Sequence, residues 1–218
     1  MLDTSTTTGL HDFVVGEVLP ARRRPGDPAV DLGAGTGALA VRLREMGWDV
    51  SAADMNPSGY GADLPFTSLD FNHPHFSEKL GHDRYGLVTS IEVIEHVESP
   101  IGFLRNIGRM LKPDGVAVIT TPNVDNAPAR LRFLVSGKVR MMDEHGEPTH
   151  ISPIFWDLFT RMYLPRAGLR LVEHRVFPTT GYVHSRPEVA WALGAVSRAL
   201  SDECLLGDNH VFVLARAS

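Results

Sequence analysis

Cysteine is nearly missing from this chain: Cys204 is the only one among 218 residues. That excludes an intramolecular disulfide and any metal knuckle of paired cysteines, and it leaves Cys204 to be read as a half-buried small apolar residue. Long apolar runs are missing as well, and the N-terminus has no basic segment leading into an apolar core. No membrane-spanning helix and no secretory leader is therefore expected, and a cytoplasmic location follows by default. Positive charge is in deficit, with 21 Lys and Arg against 26 Asp and Glu and a net charge of −5. A broad electrostatic grip on nucleic acid or anionic lipid does not fit that balance. The chain shows neither an internal repeat nor a dividing linker. Its 43% apolar and 22% charged residues suffice for a buried core, and its length suits one domain better than two.

From Pro28 onward, short apolar runs alternate with segments of helical period, the mark of βαβ units and a mostly parallel sheet. Strands are expected at Ala29 to Leu32, Asp49 to Ala53, Leu69 to Phe71, Tyr85 to Ile91, Val116 to Thr121, Leu169 to Phe177 and His210 to Arg216. Leu10, Phe13, Val14 and Val18 repeat at helical spacing ahead of them, behind a Ser/Thr tract read as a flexible lead-in. Leu39, Ala40, Leu43 and Met46 form a helix face that Gly47 can cap. Ser99-Pro100 and Ser152-Pro153 both read as helix starts, with Ser as N-cap and Pro at the first helical position. Lys112-Pro113-Asp114-Gly115 reads as a turn, and Val189, Leu193, Val196 and Leu200 suggest a late amphipathic helix. Residues 122–152 lack periodicity, which in a compact domain marks a substrate-facing loop or lid. The single domain thus divides into a lead-in and helix (1–27), a ligand-binding core (28–121), the loop (122–152), and C-terminal helices and strands (153–218).

The sharpest local signal is Asp31-Leu32-Gly33-Ala34-Gly35-Thr36-Gly37, between a strand and a helix. Glycines there allow positive φ and let a ligand approach the backbone, and the helix start behind them offers free N–H groups. Asp54 ends the next strand, 17 residues after Gly37, where an acid can accept hydrogen bonds from ribose hydroxyls. Gly33-x-Gly35-x-x-Ala38 also satisfies the loose dinucleotide fingerprint, so the loop alone does not choose a cofactor. Asp31 leans away from a pyrophosphate and toward a ligand that carries an ammonium group.

Beyond the loop, a whole series of motifs resembles the class I S-adenosylmethionine-dependent methyltransferases. Asp31 to Gly37 resembles their motif I and Asp54 the acid that follows it. Asp70-Phe71-Asn72 is similar to the Asp-Leu-Asn at their third strand, and Glu92-Val93-Ile94-Glu95-His96 to the end of their fourth-strand motif. Leu111 to Gly115 and Thr121-Pro122-Asn123 are similar to the fifth-strand hairpin and exit. Thr149-His150-Ile151-Ser152, with Ala167-Gly168-Leu169, resembles the region before strand six. The likeness runs over roughly residues 28–177, in order, and is nearest to ubiquinone-type O-methyltransferases and related small-molecule or polysaccharide-cluster enzymes. It implies a Rossmann-like α/β fold: seven mostly parallel strands, helices on both faces and an antiparallel last strand. S-adenosyl-L-methionine is the implied cofactor, held by Asp31, Gly33, Ala34, Gly35, Gly37, Asp54, Met55, Asp70, Phe71, Ile91 and Glu92. Asp63-Leu64-Pro65-Phe66 offers a second acid for the adenine, with Asp70 preferred. Pro165 falls inside an expected helix and should end or kink it.

Methyl transfer to a hydroxyl requires in-line alignment and removal of one proton, and imidazole, with an ordinary pKa near ~6.5, suits the second task. His150, His96 and His145 are the candidate catalytic residues, His150 as the base and His96 balanced between a catalytic role and tying the loop beneath the cofactor. Asp143, Glu144, His145 and His150 match no standard metal motif, so no metal is assigned. Arg130, Arg132, Lys138 and Arg140 are either a solvated face or a grip on an anionic acceptor. Met141, Met142, Phe155 and Trp156 serve equally as pocket lining or core. The resulting expectation is methyl transfer to a hydroxyl, less favourably an amine, of a small molecule or sugar. No nucleic acid partner and no membrane insertion are expected, and a homodimer stays open. The alternatives are a non-catalytic cofactor-binding protein of the same fold and an NAD-dependent oxidoreductase, which lacks a Tyr-x-x-x-Lys pair here.

Overall fold

The computed structural model describes residues 6–22, 24–142, 149–183 and 203–217. Strands β1 (Pro28–Leu32), β2 (Asp49–Asp54), β3 (Phe66–Ser68), β4 (Tyr85–Ile91), β5 (Leu111–Pro122), β6 (Leu169–Phe177) and β7 (Asn209–Arg216) form one sheet. Its order is β3-β2-β1-β4-β5-β7-β6. The first five strands pair in parallel, and β7 runs antiparallel to both β5 and β6. This is the Rossmann-like methyltransferase topology that the motif series implies.

Helices α1 (Leu10–Phe13), α2 (Ala38–Glu45), α3 (Ser77–Leu80), α4 (Pro100–Met110), α5 (Ala127–Ser136), α6 (Trp156–Leu158) and α7 (Leu164–Ala167) surround the sheet. Because strand side chains alternate between faces, Val30 and Leu32 of β1 join the core that holds Phe103, Leu104 and Ile107 of α4. Ala29 joins the opposite core, with Leu10, Val14, Leu39 and Leu43 from the N-terminal and α2 helices. The expected apolar faces of both helices are thus buried. Gly102 N donates to Ser99 Oγ at 3.2 Å, so Ser99 caps α4 as its sequence signals. Gly47 takes a left-handed φ of 97° just past α2, the conformation that ends helices at glycine.

Several expectations need correction. The third strand lies at Phe66–Ser68, ahead of Leu69–Phe71, because Ala52, Ala53 and Asp54 pair with Phe66, Thr67 and Ser68. Lys112–Gly115 is no free turn but a bulge within β5, since Leu111 and Val116 on either side of it pair with Tyr85 and Leu87 of β4. Residues 122–152 are not wholly irregular: Asn126 accepts from Ala129 N at 2.9 Å and starts α5, a cap hidden among polar residues. Ser152 does not start a helix. Its hydroxyl donates to Val97 O, and α6 begins at Trp156, whose N–H donates to Asp125 Oδ2 at 2.6 Å. Pro165 neither stops nor frees the chain: a wider, π-type turn over Phe159–Tyr163 leads into α7, which contains it. A proline lacks the N–H that an α-turn would need, and a locally widened helix accommodates that loss. Cys204 is buried rather than half-buried, and its sulfur is in no disulfide. The suggested helix around Val189 to Leu200 lies outside the described residues.

Candidate active site

At the carboxyl ends of β1 and β4 the chain leaves a cleft of about 460 Å³, within the roughly 300–1,000 Å³ of small-molecule sites. One wall is the glycine loop. Gly33 N and Ala34 N donate to Ala53 O at 2.8 and 3.2 Å, which folds the loop back over β2. Gly37 sits at φ 86°, and a Cβ there would come within 2.6 Å of Ala62 Cβ and 2.8 Å of the Tyr60 ring. Gly35, in contrast, faces open space, with nothing within 4 Å of a Cβ built on it. A ligand can therefore meet its bare backbone. Asp54 buttresses the turn by accepting from Gly35 N (2.9 Å) and Asn56 N (2.8 Å).

Asp31 lines the cleft yet is almost wholly buried. Burial, opposed by the Thr89 hydroxyl that donates to it at 2.7 Å and aided by the charge of Asp54, pushes its pKa up to about 7. An acid in that condition favours a cationic partner, which restores the charge-pairing that water no longer supplies. Ala34, Ile91 and Glu92 border the same cleft. Met55 is 67% exposed beside Asp54. Asp70 accepts from Asn72 N at 2.9 Å. Phe71 is turned away, its ring 5.3 Å from Phe76 and 5.7 Å from Phe103, and it borders a second hollow of about 370 Å³ by the start of α4.

The facing wall is assembled across the chain. Glu92 leaves β4 at φ 56°, its carboxylate accepting from Thr120 Oγ1 (3.1 Å) and Asn209 Nδ2 (2.8 Å); burial pushes its pKa up to about 7. Glu95 is fully buried, and neither carboxylate oxygen makes a hydrogen bond of normal geometry among the described residues, the Thr121 hydroxyl and its own backbone N–H offering only weaker polar contact. Burial, followed by the nearby charge of Glu92, pushes it well above the usual carboxylate range. Its main-chain oxygen accepts from both Ile151 N and Ser152 N at 2.9 Å. Those two bonds deliver His150, whose Nε2 lies 3.9 Å from Glu95 Oε1. The His150 and His96 rings stand nearly edge-to-face, centroids 4.7 Å apart. His150 Nδ1 lies 2.7 Å from Met141 O, and His96 Nδ1 lies 3.2 Å from Thr149 O. One donor atom from each of Glu95, His96 and His150 falls within 4.8 Å of the other two, a set able to hold a metal ion. His145, with Asp143 and Glu144, lies outside the described residues.

Sequence reasoning missed Thr6–Thr8 and His11, which border the cleft. The Ser/Thr tract has no periodicity to betray a site, and only the docking of α1 brings it there. Burial, then the charge of Arg42, lowers the His11 pKa to about 4. Glu95 was also missed as a site residue, although it stands inside the very motif that supplied Glu92 and His96. Arg140 corrects the basic-loop reading: it is buried and pairs with the buried Asp208 at 2.8 Å. Arg130 Nε donates to Asp125 O at 2.7 Å. Met141 borders the cleft, whereas Trp156 packs on His174 and Phe212 in the core.

A family model described as a methyltransferase domain matches residues 12–174. The chain is 34% identical over 99 residues to the ubiquinone biosynthesis O-methyltransferase of Rickettsia bellii, covering 43% of this chain and 41% of that protein. It is 32% identical over 112 residues to the protein of that name from Caulobacter vibrioides, covering 47% and 44%. The matched span is thus less than half the length of these relatives. Among solved structures, a SAM-dependent methyltransferase from Archaeoglobus fulgidus superposes with a TM-score of 0.63 at 15% identity, covering 94% of this chain and 93% of that one. The 1,6-didemethyltoxoflavin-N1-methyltransferase of Burkholderia thailandensis, with 1,6-didemethyltoxoflavin and S-adenosylhomocysteine bound, gives 0.62 at 14% identity, covering 97% and 80%. At such identities the likeness is one of fold. No helix among the described residues is long and apolar enough to cross a membrane.

Proposed function

The chain belongs to the methyltransferase-domain family of class I S-adenosylmethionine-dependent enzymes, and we propose that it methylates a hydroxyl group of a small molecule or sugar. The observation that carries this reading is the shared cleft: the glycine loop with Asp31 forms one wall, and His96 with His150 forms the other. The residues present suit the cofactor, because Gly35 offers open backbone and Asp31 a buried carboxylate for an ammonium group. Bound there, S-adenosylmethionine supplies an electrophilic methyl group on a positively charged sulfur.

Asp54 stands at the end of β2, where a carboxylate accepts from the ribose hydroxyls, and Asp31 and Glu92 place negative charge beside the cationic end of the ligand. The cleft wall then holds the acceptor in line, which converts a bimolecular displacement into a positioned one. Activation of the acceptor hydroxyl depends on His150, with His96 packed against it. Oxygen is favoured over nitrogen as acceptor because the relatives of 32–34% identity are named O-methyltransferases. A small acceptor is favoured by the modest cleft and the net negative charge, which disfavours a polyanion.

Calorimetry with S-adenosylmethionine, S-adenosylhomocysteine and NAD tests the cofactor assignment. The first two are expected to bind and NAD weakly or not at all. Tighter binding of NAD would overturn the reading.

A further inference from the structure

Resting on the methyl-transfer reading for its role, we propose that Glu95, His96 and His150 bind one divalent transition-metal ion of the zinc class at the acceptor end of the cleft. Their donor atoms already lie within 4.8 Å of one another. The Glu95 carboxylate is fully buried, and neither oxygen makes a hydrogen bond of normal geometry among the described residues. Burying a carboxylate in that condition is costly, and a cation is a partner that removes the cost. The 3.9 Å between Glu95 Oε1 and His150 Nε2 is too long for a hydrogen bond. Two donors at about 2.1 Å from one zinc ion stand roughly 3.4 Å apart in tetrahedral geometry, so a closure of about half an ångström joins this pair on an ion.

The imidazoles are oriented for the same task. His150 Nδ1 and His96 Nδ1 both face backbone carbonyls, those of Met141 and Thr149. A carbonyl only accepts, so each ring carries its proton on Nδ1 and keeps its lone pair on Nε2. Metal-binding imidazoles are commonly fixed this way, by an outer hydrogen bond from the nitrogen that does not ligate. Two ring nitrogens and one carboxylate suit zinc, cobalt(II) or iron(II) better than magnesium or calcium, which prefer oxygen. Three protein ligands leave an open position, and it faces the acceptor because His96 and His150 border the cleft.

In that position the ion takes the acceptor oxygen and lowers its pKa. The hydroxyl proton leaves to solvent and a bond forms from oxygen to the methyl carbon. The carbon–sulfur bond breaks with its electron pair kept on sulfur, so one methyl ether, one thioether and one proton result. His150 then serves as a ligand instead of a base.

The test uses the full chain, stripped with a chelator and titrated with Co²⁺ alone. One equivalent per chain is expected to bind with visible ligand-field bands, to be displaced by Zn²⁺ and to be indifferent to excess Mg²⁺. Loss of an outer-sphere partner typically costs about 10–100-fold in affinity, so Glu95→Gln and His150→Ala should each cost at least about 100-fold. Calorimetry with S-adenosylhomocysteine on the same samples reports whether each variant is folded. Wild type that binds S-adenosylhomocysteine but no Co²⁺ overturns the site, as does a Glu95→Gln protein that binds both as wild type does. Co²⁺ binding without any S-adenosylhomocysteine binding supports the ion site and strikes at the methyl-transfer reading instead.

Discussion

The glycine-loop wall of the cleft comes from residues 31–54, one strand, turn, helix and strand in succession, whereas the facing wall draws on four distant segments. Asp31, Gly35 and Asp54 sit on a single βαβ unit, joined by the β1–β2 pairing and by the bond from Gly35 N to the Asp54 carboxylate, with Thr89 of β4 added beneath Asp31. Glu95, His96 and His150 meet because Glu95 O accepts from Ile151 N and Ser152 N, and because Thr149 O lies 53 positions from the ring it contacts. The first wall is rigid local geometry that recurs wherever the motif does. The second is a product of tertiary packing, and it is the wall proposed above to face the acceptor. A fold can thus keep its cofactor while changing what it methylates.

The sharpest way to separate the walls is His150→Ala. Turnover on a hydroxyl acceptor should fall by ~10²–10⁴-fold, while affinity for S-adenosylhomocysteine, measured by calorimetry, stays close to that of wild type. Equal loss of both would show that the walls act as one.

Next comes the anchoring of the assembled wall. Arg140→Ala leaves the buried Asp208 carboxylate without the guanidinium now 2.8 Å from it. Breaking a buried pair by removing one partner costs about 3–5 kcal/mol; Val183 N and Asn126 Nδ2 also serve Asp208, so about 3 kcal/mol is expected. Chemical denaturation measures it, and a loss under 1 kcal/mol would mean that the surrounding bonds carry the segment alone.

Asp54→Ala addresses the other wall. It should lower cofactor affinity at least about tenfold through lost charge-assisted hydrogen bonds and leave acceptor-side binding of Co²⁺ unchanged. Unaltered cofactor affinity would assign the ribose to another residue.

The smallest effect is in pH. Asp31, with its pKa raised to about 7 by burial, must ionise to pair with the ligand's ammonium group. Affinity should therefore fall as pH falls, by up to about tenfold between pH 8 and pH 6. Affinity is the informative readout, because the stability effects oppose one another. The raised pKa of Asp31 stabilises the ligand-free fold below 3.8 and loses that contribution as pH rises toward about 7. Burial instead lowers His11, His174 and His210 to about 4, 4 and 3. These contribute stability above 6.5 and lose it as pH falls. A flat affinity profile across pH 6–8 would remove Asp31 from ligand pairing.

Most of the fold was legible because it is written in short-range pattern. Apolar runs of strand length, Ser99-Pro100 before α4 and Gly47 after α2 are each local devices, and each stands where its chemistry puts it. The misplacements share one cause. Phe66–Ser68 rather than Leu69–Phe71 became β3 because register against β2 decided it. The cap of α6 came from Asp125, 31 positions before Trp156, and not from Ser152. In both cases a long-range hydrogen bond outranked a local signal of equal quality.

By itself the sequence determined the family, the sheet and the glycine-loop wall, since positive φ at Gly33 and Gly37 and an acid at the end of β2 depend on residues close together in the chain. Only the tertiary structure decided that Glu95 would be buried beside two imidazoles, that Arg140 would be consumed by Asp208, and that Thr6–Thr8 and His11 would reach the cleft. The physical reason is that burial and charge pairing belong to neighbours in space. Residue type fixes what a carboxylate or an imidazole can do, but the partners brought to it by the packed sheet fix what it does.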